Sequence, residues 1–94
     1  MKEETKRAID SYIKEHGGDY PKWYCGIATD PEERLYEEHN VYRWGIRIHR
    51  DAGSESAARE VEKHFLAKGC KGGTGGGKNP HYVYAYKITS TTRP

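Results

Sequence analysis

The sequence predicts a small α+β domain: a three-stranded, mostly antiparallel sheet flanked by about three helices. Three observations lead to it. A chain of 94 residues has room for one modest core. Three segments alternate in the manner of strands, and between them lie two helical stripes and one helix-capping signature. No repeat or linker interrupts this order, so residues 1–94 read as a single domain, with an N-terminal helical segment at 1–18 and a tail at 90–94.

The first helix is expected from Glu3 to His16, where Ala8, Ile9, Tyr12 and Ile13 make an apolar stripe. Gly17 and Gly18 end it. Residues 22–28, KWYCGIA, form the first strand, with Trp23, Cys25 and Ile27 on one face. Tyr24, Gly26 and Ala28 share the other face, so a large polar ring stands beside bare backbone and leaves space for a ligand. Asp30 suits an N-cap, Pro31 the first helical position and Glu33 the reciprocal place of a capping box. A short helix from Pro31 to about His39 follows. It carries Arg34 near its N-terminus, where positive charge is unfavourable unless the residue pairs with Glu38 or serves a ligand.

Residues 43–49, RWGIRIH, predict a second strand with Trp44, Ile46 and Ile48 toward the core and Arg43, Arg47 and His49 on a basic side. Ser54 or Ser56 then caps a helix to about Lys68, closed by Gly69. Its core stripe is Ala58, Val61 and Phe65. Glu62 lies in the adjacent row, one turn from Ala58 and Leu66, where a free carboxylate calls for a metal, an arginine or a proton. Glu60, with Lys63 and His64 in reach, belongs to the surface. The last strand is expected over His81–Thr89, with Tyr82, Tyr84, Tyr86 and Ile88 on one face, and the residues after Ser90 as a frayed end.

Leu, Ile, Val and Phe number only 12, but eight Tyr and two Trp supply large buried area, so the core is aromatic. Composition excludes a collagenous repeat and a disulfide scaffold, and no apolar run approaches the roughly 20 residues that span a bilayer. Cys25 and Cys70 stand far apart, and Cys70 with His64 offers too few ligands for zinc. Reduced thiols and a cytoplasmic location are the expectation. Charge is uneven: residues 1–38 sum to −4 and residues 39–94 to +6. The second half therefore suits a polyanionic partner.

The glycine-rich stretch from Gly69 to Pro80 contains GxxxxGK at 72–78. It is not a nucleotide-binding P-loop, because Asn79 stands where Ser or Thr would ligate magnesium and because a helix precedes it. It remains a basic loop, with Lys71 and Lys78, able to approach phosphates closely.

Two stretches together resemble the GIY-YIG nuclease superfamily. Tyr24 to Leu35, followed by Glu38-His39-Asn40, is similar to that family's YIG strand, turn and arginine helix. Ser56 to Lys63 is similar to the helix that presents its metal-binding glutamate. The resemblance spans roughly residues 22–88, but the family's GIY strand has no counterpart before Tyr24. It implies catalytic roles for Tyr24, Arg34, His39 and Glu62, with Glu62 as ligand of one Mg2+ or Mn2+. It implies hydrolysis of a DNA phosphodiester: Arg34 stabilises charge on the phosphoryl oxygens, Tyr24 orients or deprotonates the attacking water, and His39 assists. The C-terminal strand would replace the missing strand beside Tyr24, with Tyr82, Tyr84 or Tyr86 supplying the second hydroxyl; Tyr84 is taken as the catalytic candidate. Arg43, Arg47, Lys71, Lys78 and Asn79 would face DNA. The other readings are an inactive nucleic-acid-binding module and a protein-interaction module that shares only the fold. A chain this small has little surface for recognition, which suggests a partner domain or a homodimer. No membrane contact is expected.

Overall fold

The computed structural model of the chain describes residues 2–73 and 77–94; Thr74, Gly75 and Gly76 of the glycine-rich stretch lie outside the described residues. Its order is α1 (Lys2–Glu15), a 3-10 turn (Tyr20–Lys22), β1 (Trp23–Ala28), a π-helix (Glu33–Glu38), β2 (Arg47–Asp51), α2 (Glu55–Ala67) and β3 (Tyr82–Lys87). Three antiparallel strands lie in the order β1-β3-β2, so the last strand is central. This is the α+β fold expected from the sequence.

The sheet separates two aromatic-rich layers. On one face Trp23, Cys25, Ile27, Ile48, Val83 and Ala85 meet α1 and α2. From α1 come Ile9 and Ile13, and from α2 Ala58, Val61 and Phe65, all fully buried. Burying each such side chain contributes about 1.5–3 kcal/mol, so this layer carries most of the hydrophobic stabilisation. Ser54 caps α2 by accepting from the Ala57 N–H at 3.2 Å. Gly17 and Gly18, both at positive φ, close α1, and the Gly18 N–H reaches the Ile13 carbonyl.

The opposite face holds Tyr24, Ala28, Tyr84 and Tyr86 beneath Leu35 and Val41. Here β3 lies beside β1, pairing Tyr24 with Tyr86 and Gly26 with Tyr84. The space expected next to Tyr24 is filled: the Tyr84 ring crosses over Gly26, where an added Cβ would stand 2.6 Å from its Cζ and hydroxyl. Gly26 is thus required by a ring, not by a ligand.

Three further expectations are corrected. The second strand begins at Arg47 because the chain turns at Gly45, whose N–H reaches the Tyr42 carbonyl at 2.8 Å. Trp44 therefore leaves the core, is 85% exposed and stacks on Tyr42, and Ile46 is also exposed. Residues 33–38 wind as a π-helix: the His39 N–H bonds the Arg34 carbonyl five residues back, at 2.9 Å. Its start is as anticipated, with the Asp30 side chain accepting from the Glu33 N–H at 3.2 Å. Finally, residues 89–93 are tied down, with Arg93 N–H on the His39 carbonyl at 2.7 Å and Asn40 Nδ2 donating to the Thr91 carbonyl at 2.9 Å. Glu60 lies on the surface as expected and pairs with Lys2 of α1 at 2.7 Å.

Candidate functional site

The π-helix and β1 diverge after Ala28, and the end of β3 and the glycine-rich stretch fill in at either side. Between them lies an open cleft of about 850 Å3, whose walls include Tyr24, Arg34, His39, Lys71 and Arg93. Four of these were candidates from the sequence; Arg93 was not. A smaller hollow beyond Arg34 brings Lys78 to its other side. Arg34 is therefore flanked by lysines from one loop.

Tyr24 is 5% exposed, and its ring stacks with Tyr86 at 5.3 Å and Tyr84 at 6.2 Å. The backbone of Gly73 packs on its hydroxyl: a Cβ there would be 2.8 Å away. Burial raises the Tyr24 phenol; Arg34 opposes the shift and the Glu62 carboxylate adds to it. Arg34 shares the cleft wall with Tyr24, whereas Glu62 is not among the residues that line it. At neutral pH the Tyr24 hydroxyl keeps its proton and acts as a donor.

Arg34 is held at 3.5 Å from Glu38 Oε1, one turn on, the pairing anticipated for it. The contact is not aligned for a hydrogen bond, so Arg34 Nε stays buried without a hydrogen-bond partner among the described residues. A donor in that condition favours an incoming anion.

His39 is buried and sits at a junction. Its Nδ1 is 2.6 Å from the Arg93 carbonyl, which can only accept, so Nδ1 carries the proton. Nε2, 2.7 Å from the Tyr84 hydroxyl, then accepts. Tyr86 Oη lies 3.1 Å from Nδ1. Burial holds the imidazole below its ordinary range despite the Arg93 carbonyl. Tyr84 and Tyr86 are fully buried, and burial raises both phenols strongly. Neither lines the cleft; the Tyr84 hydroxyl instead meets His39.

Glu62 is half-buried on α2, and burial raises its carboxyl against the opposing charge of Arg59. Arg59 itself pairs with Glu55 at 2.8 Å. No hydrogen bond or ion pair reaches Glu62 from the described residues. Those residues hold no group of three or more His, Cys, Asp or Glu arranged for a metal. A single unpartnered carboxylate nevertheless fits Mg2+, which keeps several waters and takes one or two carboxylates together with substrate phosphates.

Comparison of the chain with protein-family models, curated proteins and solved structures finds no match. The function therefore rests on the site itself.

The remaining basic candidates divide. Lys71 lines the cleft, and its backbone pairs with β1 on either side of Tyr24. Asn79 is exposed at positive φ beside Lys78, whose carbonyl accepts from Thr29 Oγ1 at 2.7 Å. Arg43 and Arg47 lie elsewhere, both against the Tyr36 ring at 4.4 and 5.6 Å. Arg47 Nε donates to the Tyr36 hydroxyl, and Arg43 is 3.9 Å from Glu32. Around Arg43 stand Asp30, Glu32, Glu33 and Glu37. That acidic setting weakens the attraction of Arg43 for a polyanion. Burial raises both thiols, Cys25 strongly and Cys70 to about 11. No helix among the described residues is long and apolar enough to cross a membrane.

Proposed function

We propose that the chain is a GIY-YIG-like endonuclease domain that hydrolyses DNA phosphodiester bonds with one divalent ion, Mg2+ or Mn2+. The observation that carries this reading is a cleft walled by Tyr24, Arg34 and His39, in which the buried Arg34 Nε has no hydrogen-bond partner among the described residues.

Arg34 offers a guanidinium with an unmet donor to the phosphoryl oxygens, where charge gathers in the transition state. Tyr24 is a neutral phenol and orients the attacking water through a hydrogen bond, since burial disfavours the phenolate that would remove its proton. His39, in the cleft wall, and Tyr84, bonded to it from behind, fix the geometry around Arg34. Glu62 would hold the ion, which would offset negative charge on the leaving oxygen. Lys71 and Lys78 add positive charge on either side of Arg34.

One observation favours a second reading, an inert nucleic-acid-binding module: the second tyrosine hydroxyl is fully buried, not at the cleft wall. Cleavage of supercoiled plasmid and branched DNA in Mg2+ or Mn2+, comparing the unaltered chain with Glu62→Ala, separates the two. Cleavage that disappears in Glu62→Ala supports the nuclease. Salt-sensitive DNA binding without cleavage by either protein supports the inert module. Absence of any DNA binding leaves only a protein-interaction module.

A further inference from the structure

Residues 89–93 have no regular structure, yet they are fixed in place by a dense set of bonds. The Thr89 N–H donates to Thr92 Oγ1 at 3.0 Å, and Thr92 Oγ1 donates back to the Thr89 carbonyl at 3.1 Å. This small turn reverses the chain after β3 and returns it to the end of the π-helix. There residue 93 is held from both sides by one residue: its N–H reaches the His39 carbonyl at 2.7 Å, and its carbonyl accepts from His39 Nδ1–H at 2.6 Å. Asn40, whose left-handed backbone (φ 56°) turns its side chain to the strap, adds a bond to the Thr91 carbonyl.

His39 is 6% exposed and bonded through Nε2 to Tyr84, so the strap is registered against the buried aromatic layer. Ordering a polar segment in this way costs conformational entropy, and the bonds that offset it are all made by backbone or by Thr, Asn and His. None uses the Arg93 side chain. Its guanidinium makes no ion pair or hydrogen bond with the described residues, and it lies exposed at the cleft that Arg34 and Lys71 also line. Glu38 is the acidic side chain of that wall, and Arg34 already faces it.

We propose that Arg93 is a phosphate-binding residue of the cleft, delivered by the 89–93 strap so that two arginines from distant parts of the chain grip one nucleic-acid backbone. This rests on the reading of the chain as a protein that acts on nucleic acid. His39 then serves both sides of its ring, placing Tyr84 with one nitrogen and Arg93 with the other. Arg93→Ala keeps every backbone bond of the strap, so it tests the guanidinium alone.

The test is fluorescence-anisotropy binding of a labelled DNA oligonucleotide in EDTA, across a salt series, for the unaltered chain, Arg93→Ala, Asn40→Gly and Arg7→Ala. Asn40→Gly tolerates the left-handed backbone but loosens the strap; Arg7 is an exposed cation on α1, on the far side of the sheet. Arg93→Ala is expected to weaken binding about tenfold and to lower the salt slope by about one. Asn40→Gly is expected to weaken it by about half that factor, and Arg7→Ala to leave it unchanged. Unchanged binding by Arg93→Ala, or equal weakening by Arg7→Ala, overturns this inference and leaves the nuclease reading standing. No binding by the unaltered chain overturns both.

Discussion

Gly26→Ala tests the packing on which the site is built. The added methyl would stand 2.6 Å from Cζ and Oη of Tyr84 and 2.9 Å from Cε2. The obstacle is not the free end of a mobile side chain: Tyr84 is fully buried, and its hydroxyl is bonded to His39 at 2.7 Å. The ring must move by more than half an ångström, and the His39 bond is lengthened or lost. Overpacking of this kind costs about 1–3 kcal/mol, and a lost buried hydrogen bond adds about 1 kcal/mol. The sum is about 2–4 kcal/mol. At about 4–8 °C per kcal/mol for a domain of this size, Tm falls by roughly 8–32 °C. Circular dichroism melts provide the assay. In a Tyr84→Leu background the same glycine substitution should cost much less, because its obstacle is gone. A Tm for Gly26→Ala within about 2 °C of the unaltered chain, or an equal cost in both backgrounds, would refute the reasoning.

The remaining expectations concern charge and exposure. Burial raises the Glu62 carboxyl above its ordinary 4.5, so the unfolded chain releases this proton first and stability falls as pH rises from the unfolded value through the folded one. Glu62→Gln should therefore be more stable than the unaltered chain in urea titrations near neutral pH, with the difference vanishing below about pH 4; the reverse pattern contradicts a burial-dominated shift. His39 is depressed below 6.5 by burial, so its imidazole should stay neutral, by NMR titration, at pH values where exposed histidines are half protonated. Stability tied to His39 is present above the unfolded value and is lost as pH falls through the folded one. Trp44→Ser should change stability by no more than about 0.5 kcal/mol, whereas Trp23→Ala should cost about 3–5 kcal/mol, because Trp44 is 85% exposed and Trp23 fully buried. Acrylamide should correspondingly quench Trp44 and spare Trp23.

Regular elements were legible where one face of the segment meets a core. Alternation through Trp23, Cys25 and Ile27 identified β1, and the Ala58, Val61 and Phe65 stripe with its serine cap identified α2. The pattern failed at Trp44, where the same alternation continues through a turn and the ring stacks on Tyr42 instead of entering the core. Local patterning does not report whether a neighbouring strand extends far enough to pair. The wide winding of 33–38 was hidden for a related reason, since α- and π-turns share capping and composition and differ by one residue in hydrogen-bond spacing.

Arg34 was legible as a cleft residue because an arginine near a helix start is an unusual setting; the small residues beside Tyr24, by contrast, make room for Tyr84. The half-burial of Glu62 was legible because its row on α2 is apolar. Arg93 was not, because the strap is polar and aperiodic and its order comes from His39 and Asn40, over fifty residues away in the chain. The filled space over Gly26 was equally invisible: only the register of β1 on β3 brings Tyr84 to that glycine.

The central claim is that Glu62 and Arg34 serve one phosphodiesterase centre around Tyr24. Single-turnover cleavage of supercoiled plasmid in Mg2+ by Glu62→Gln tests it most directly, since that variant should be folded and still bind DNA. The account predicts cleavage by the unaltered chain and a loss of at least about a hundredfold in the variant, with binding retained. Equal cleavage by the two proteins, or none by the unaltered chain, would contradict it.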